Sequence, residues 1–113
     1  MDNCLFCKIA AGEIPSKQVF EDNDVFAFRD INPQAPHHIL IVPKCHIDRI
    51  ENLNSDKADL MGKLVFTAKK IADEFGLKTG YRLVFNNGPD SGQEVEHIHL
   101  HLLAGRKFTW PPG

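Results

Sequence analysis

The segment His97-Ile98-His99-Leu100-His101-Leu102-Leu103-Ala104 constrains the fold more than any other. Its polar and apolar residues alternate with a period of two, a pattern that a β-strand sorts onto two faces and a helix scatters around its axis. Three imidazoles therefore share one face of an expected strand over 97–104, and Ile98, Leu100 and Leu102 share the other. At the rise of an extended chain the outer histidines stand ~13 Å apart, enough to line a small pocket. The bland alternative is a half-buried strand whose polar face happens to be histidine. A zinc site built from all three is weaker, because catalytic zinc draws on ligands spread through a fold. All six histidines of the chain fall within 37–46 and 97–101.

The other elements follow from punctuation and periodicity. A short helix is expected over 4–11, ended by Gly12 and Ile14-Pro15. Segments 18–21 and 24–30 read as a β-hairpin turning at Asp22-Asn23, and Asn32-Pro33 and Ala35-Pro36 mark a loop. A third strand spans 38–42, stopped by Pro43. The clearest helix is 55–75, where Leu60, Leu64, Ala68, Ile71 and Phe75 recur at helical spacing, with Ser55 or Asn54 as cap and Gly76 as end. A fourth strand covers 81–86, before a glycine-rich loop over 87–92. Antiparallel strands with one long helix on one face make an α+β fold. Five strands form a small sheet, which pairing with a second copy would enlarge.

Length and charge narrow the classes. A chain of 113 residues supports one domain, taken as 1–113. Its 13 basic and 15 acidic residues give a net charge of -2, which argues against a nucleic-acid partner bound through phosphate neutralisation. No apolar run approaches the ~20 residues that cross a bilayer, so no membrane partner is expected. Met1-Asp2-Asn3 does not resemble a signal peptide, and three cysteines are too few for a disulfide framework. The expected location is the cytoplasm.

His97-Ile-His99-Leu-His101-Leu-Leu resembles the signature of the histidine triad (HIT) nucleotide-binding proteins. Asp30-Ile-Asn-Pro-Gln-Ala-Pro-His-His38, Pro43-Lys44, His46, Gly80-Tyr-Arg, Asn86, Gly92-Gln93 and Trp110-Pro-Pro-Gly113 extend the likeness to the phosphoramidase (Hint) branch over essentially the whole chain. The resemblance implies a HIT-like fold whose sheet continues across a two-fold homodimer, with Trp110 near the partner's site. It implies hydrolysis of purine nucleoside 5′-phosphoramidates and related nucleotidyl conjugates through a nucleotidyl-histidine intermediate, with no organic cofactor. His99 matches the nucleophile, and His101 and His38 match flanking phosphate-site histidines that would also help protonate the leaving amine; His97 completes the triad. Asn86, Gly92, Gln93 and Glu94 correspond to the rest of the phosphate pocket. Asp30 corresponds to the ribose-binding acid, although an Asp before Asn32-Pro33 also suits a turn. Phe6, Ile9, Ile14, Phe28, Ile31 and Leu40 resemble the purine's apolar wall, and all would otherwise read as core. The chain departs from the pattern at Glu94, where many eukaryotic members have serine, at Glu96, where an aromatic is common, and at Ala104, which replaces a glycine.

Cys4-Leu-Phe-Cys7 can clamp a metal from one turn, and buried unpaired thiols are the alternative. Bacterial-type members resembling this chain bind zinc through such a pair, the histidine of the Pro-Lys-x-His segment and the first triad histidine. The matching set here is Cys4, Cys7, His46 and His97, a four-coordinate structural zinc site that leaves Cys45 as a spare thiol. Two other functions remain open at this point: a dinucleoside polyphosphate hydrolase of the related Fhit branch, and a non-catalytic nucleotide- or zinc-binding regulator.

Overall fold

Asp22 starts the first hairpin: its carboxylate accepts the backbone N–H of Asp24 and of Val25, both at 2.8 Å. That local bond turns β1 (Gln18–Glu21) back onto β2 (Val25–Arg29). β3 (His37–Pro43), β4 (Arg82–Phe85) and β5 (Leu100–Ala104) complete an antiparallel sheet ordered β1-β2-β3-β5-β4. The computed structural model describes residues 3–113; Met1 and Asp2, part of the start read above as unlike a signal peptide, lie outside them. Helix α1 (Leu5–Ala10) precedes the sheet and α2 (Ala58–Glu74) crosses between β3 and β4. The five-stranded antiparallel sheet with one long helix matches the expected α+β architecture.

Each sheet face buries its own cluster. Val25, Ala27, Ile39, Ile41, Ile98, Leu100 and Leu102 pack on Leu64, Ala68 and Ile71 of α2. On the opposite face Phe26, Phe28, Leu40 and Val42 pack on Phe6 and Ile9 of α1. The alternation in β2, β3 and β5 separates the two sets, so the histidines of the α1 side need no polar partner from α2. Among the described residues no helix is long and apolar enough to cross a membrane.

Two expectations need correction. The long helix starts at Ala58 after a 3₁₀ turn over Ser55–Lys57, and neither Asn54 nor Ser55 caps it through a side chain. The turn's own main-chain bond, Lys57 N–H to the Asn54 carbonyl at 2.9 Å, begins the coil instead. At the other end Gly76 adopts a φ of 67° and Leu77 N–H bonds the Ala72 carbonyl, as a glycine stop requires. The fifth strand is shorter than 97–104. His97 N–H turns back to the Val95 carbonyl and Ile98 N–H bonds the Ile47 carbonyl, so ladder pairing begins only at Leu100, opposite Ile41 and Phe85.

Ile71→Ala should cost about 2–5 kcal/mol of stability, because the side chain is fully enclosed between α2 and the sheet. Ser55→Ala should change it by less than about 0.5 kcal/mol, since that hydroxyl caps nothing. Urea unfolding of the two variants checks both values.

Candidate active site and metal-ligand cluster

β3 and β5 pair with Leu40 opposite His101 and His38 opposite Leu103, which sets two histidines on one face of adjacent strands. Their rings meet with His38 Nε2 2.9 Å from His101 Nδ1. The backbone N–H of Gln34 donates to His38 Nδ1 at 3.1 Å. That nitrogen is therefore an acceptor, so the His38 proton sits on Nε2 and is donated to His101 Nδ1. The His101 proton is then on Nε2, a buried nitrogen with no partner among the described residues. Neither ring retains a free lone pair for an extra proton.

His99 follows the same logic in reverse. Its Nδ1–H donates to the carbonyl of His97 at 2.8 Å, which leaves the Nε2 lone pair free. The edge of Phe6 packs against this ring at a centroid distance of 5.0 Å, and the His101 ring stands at 4.9 Å. Burial holds His38, His97 and His99 below the ordinary imidazole value, with Asp30 opposing it at His38 and at His99. Burial, reinforced by His99 and His38, lowers His101 to about 4. In all four rings the neutral form predominates at pH 7.

His38, His99 and His101 open onto a cleft of about 280 Å³. Of the residues singled out in the sequence, Phe6, Asp30, His38, Leu40, Asn86, Gly92, Glu94, His99 and His101 line it. Ile9 and Phe28 lie in the apolar cluster that includes Phe6 and Leu40, and Ile14 packs against that cluster. Asp30 combines two readings: one carboxylate oxygen accepts the Asn32 N–H at 2.8 Å, as a turn residue does, while the other stands 3.6 Å from His38 Nε2. Ile31 is 97% exposed and borders a neighbouring cavity that shares Asp30 and His38. The Gln93 side chain is spent on main-chain groups, on Gly88 N–H and the Val95 carbonyl of its own loop and on the Asp48 carbonyl of the segment after β3. Trp110 is 86% exposed and does not line the cleft of this chain. Glu96 is held by Arg49 through two hydrogen bonds. Asn32, Gln34 and Val95, not foreseen, also line the cleft. Gln34 acts on His38 through its main chain, so its residue type carries no signal of the role.

The second cluster begins at the start of α1. Cys4 is the N-cap, its Sγ accepting the Cys7 N–H, so both thiols face the same way one turn apart. Cys4 Sγ lies 3.3 Å and Cys7 Sγ 3.5 Å from His97 Nδ1, and Cys7 Sγ lies 3.4 Å from His46 Nδ1. All four ligand atoms fall within 4.8 Å of one another. Ordinary zinc–sulfur and zinc–nitrogen bonds at a tetrahedral angle separate S from N by ~3.6 Å, so the donor set fits such an ion with little movement. His97 Nε2–H donates to the Pro43 carbonyl at 2.8 Å, which turns the Nδ1 lone pair toward the thiols. Burial, with Cys4 alongside, pushes the Cys7 thiol up to about 11. Cys45 is exposed and outside the cluster. Asp30, His38 and His101 also converge, but there the Gln34 N–H forces a proton onto the His38 nitrogen that would have to supply a lone pair. They form a hydrogen-bonded pair with a carboxylate beside it, not a metal cradle.

The HIT domain family model matches residues 11–108. Adenylylsulfatase HINT1 of Arabidopsis thaliana is 48% identical over 111 residues, 96% of this chain and 76% of that relative. A 14 kDa zinc-binding protein of Zea mays is 50% identical over 96% of this chain and 87% of its own length. The crystal structure of a HIT family hydrolase from Legionella pneumophila Philadelphia 1 is 60% identical and superposes with a TM-score of 0.95, covering 98% of this chain and 100% of that one. A family match across the sheet, α2 and the triad, joined to such close relatives over nearly the full length, means that this chain belongs to the HIT domain family.

Proposed function

We propose that this protein hydrolyses purine nucleoside 5′-phosphoramidates and related nucleotidyl conjugates through a nucleotidyl-histidine intermediate on His99. The observation that carries the reading is the free Nε2 of His99, its lone pair set by the bond of Nδ1–H to the His97 carbonyl. A neutral imidazole attacks phosphorus without a separate base. In this reading the Nε2–H of His101 donates to a non-bridging oxygen, where removal of one such donor typically costs 10²–10³-fold in rate. His99 Nε2 bonds to phosphorus as the P–N bond breaks, and the amine leaves with a proton drawn from solvent, because the His38–His101 pair has none to spare. Water then attacks the phosphorus, the N–P bond breaks, and the water's spare proton returns to solvent. Asp30 would accept the ribose hydroxyls, while Asn86 and the Gly92 main chain complete the phosphate pocket. Phe6 and Leu40 would form the exposed part of the purine wall, backed by Ile9, Ile14 and Phe28. The Arabidopsis relative's name, an adenylylsulfatase, concerns an adenylyl group with a different leaving group. The same nucleophile would serve both.

The reading extends to the rest of the molecule. Residues 1–113 act as one domain in the cytoplasm, with structural zinc on Cys4, Cys7, His46 and His97. The Zea mays relative's name and the fit of the four ligands support the zinc. The protein works as a homodimer. β4 is an edge strand, and Tyr81, Leu83 and Val65 are left 37–46% exposed, apolar surface that a second copy would cover by continuing the sheet.

Three outcomes test these statements. His99→Ala should cut turnover of adenosine phosphoramidate at least about a thousandfold and leave AMP binding nearly intact, with a smaller loss in His101→Ala; wild-type turnover by His99→Ala removes the mechanism. Protein purified without chelator should carry one zinc per chain, and Cys4→Ser should lower the melting temperature more than the rate per folded molecule. Metal-free protein whose melting temperature ignores added zinc contradicts the site. Light scattering at micromolar concentration should give a dimer for the wild type and a monomer for Leu83→Glu.

A further inference from the structure

We propose that Arg106 is a positioning residue for the reaction: by holding the Gln34 carbonyl it aims the Gln34 N–H at His38 and thereby keeps His101 a donor at Nε2. Arg106 Nε donates to that carbonyl at 3.0 Å, across 72 residues of sequence. The guanidinium is itself held, stacked 4.1 Å from the Phe108 ring centroid. Arg82 lies over the same ring and donates to the carbonyls of Thr109 and Pro112, fixing the segment that carries Phe108. A second contact joins the same two segments. Gly105 has a φ of 94°, and a Cβ there would fall 2.8 Å from Pro36 Cβ, so the chain after β5 lies directly against the loop between β2 and β3.

The consequence follows from the number of donors and acceptors in the pair. With the Gln34 N–H on His38 Nδ1, His38 must donate from Nε2 and His101 must accept at Nδ1. If that N–H swings away, His38 is free to carry its proton on Nδ1. Its Nε2 then accepts, His101 donates from Nδ1, and a lone pair replaces the proton at His101 Nε2. The 2.9 Å contact survives the exchange with its direction reversed. A lone pair aimed at a phosphate oxygen repels what the proton attracted. Arg106 does not line the cleft and acts only through the loop.

The kinetic part rests on the proposed hydrolysis, whereas the tautomers are read without substrate. Protein labelled with ¹⁵N-histidine, observed by long-range ¹H–¹⁵N correlation at pH 7, should show His38 and His101 both protonated at Nε2 and His99 at Nδ1. In Arg106→Ala the first two should become mixtures while His99 stays unchanged, and kcat should fall roughly tenfold or more with KM within about threefold. Arg106→Lys, which keeps a cationic donor, should restore both toward the wild type. A lower melting temperature with unaltered tautomers would mean a merely structural arginine and overturn the proposal. If Arg106→Ala does not fold, the wild-type spectrum decides, since a proton on His101 Nδ1 contradicts the chain of bonds. A wild type inert toward phosphoramidates yet showing these tautomers removes the proposed function and leaves the role of Arg106 standing.

Discussion

The antiparallel pairing of β3 with β5 is the contact on which the rest depends. It joins segments some sixty residues apart and sets Ile39 opposite Leu102 and Leu40 opposite His101. On one face it completes the apolar surface that receives α2, and on the other it brings His38 against His101. A one-residue slip would exchange these faces, burying imidazoles under the helix and exposing leucines in the cleft. Register and site are thus the same constraint, because the core that stabilises the sheet also orders the histidines.

Main-chain groups then decide what each imidazole does. The Pro43 carbonyl takes the proton of His97 Nε2 and turns its other nitrogen toward the cysteines. The His97 carbonyl takes the proton of His99 Nδ1 and leaves Nε2 free. The Gln34 N–H turns His38 into a donor and His101 after it. Three chemically identical side chains, two residues apart, therefore acquire three different tasks without a charged partner. Helix α1 links two of them, since it carries both Cys4-x-x-Cys7 and the Phe6 ring that packs against His97 and His99.

Much of this was legible in the sequence. The alternation from Ile98 to Leu102 sorts side chains correctly even though the ladder begins only at Leu100: Ile98 packs with the α2 cluster and His99 against Phe6 on the other face. The spacing of Leu64, Ala68 and Ile71 likewise marks the buried stripe of α2. The start of that helix was not legible: Ser55 suits a cap by type, but a 3₁₀ turn satisfies the first amides without it. Gln93 resembles a pocket residue, yet both ends of its amide are taken by main-chain groups of its own loop and of the segment after β3. The tautomer-setting bonds were beyond reach altogether. They come from backbone atoms of Gln34, Pro43 and His97, and a backbone N–H or carbonyl looks the same at every position.

The central claim is that phosphorus is transferred first to His99 and then to water. Each in-line displacement inverts the configuration at phosphorus, so two in succession restore it. A nucleoside phosphoramidate made chiral at phosphorus with sulfur, hydrolysed by the wild-type protein in ¹⁸O-water, tests this without any substitution in the site. Retention of configuration in the product is the result this account predicts. Inversion would mean a single direct attack by water and would contradict the covalent role of His99.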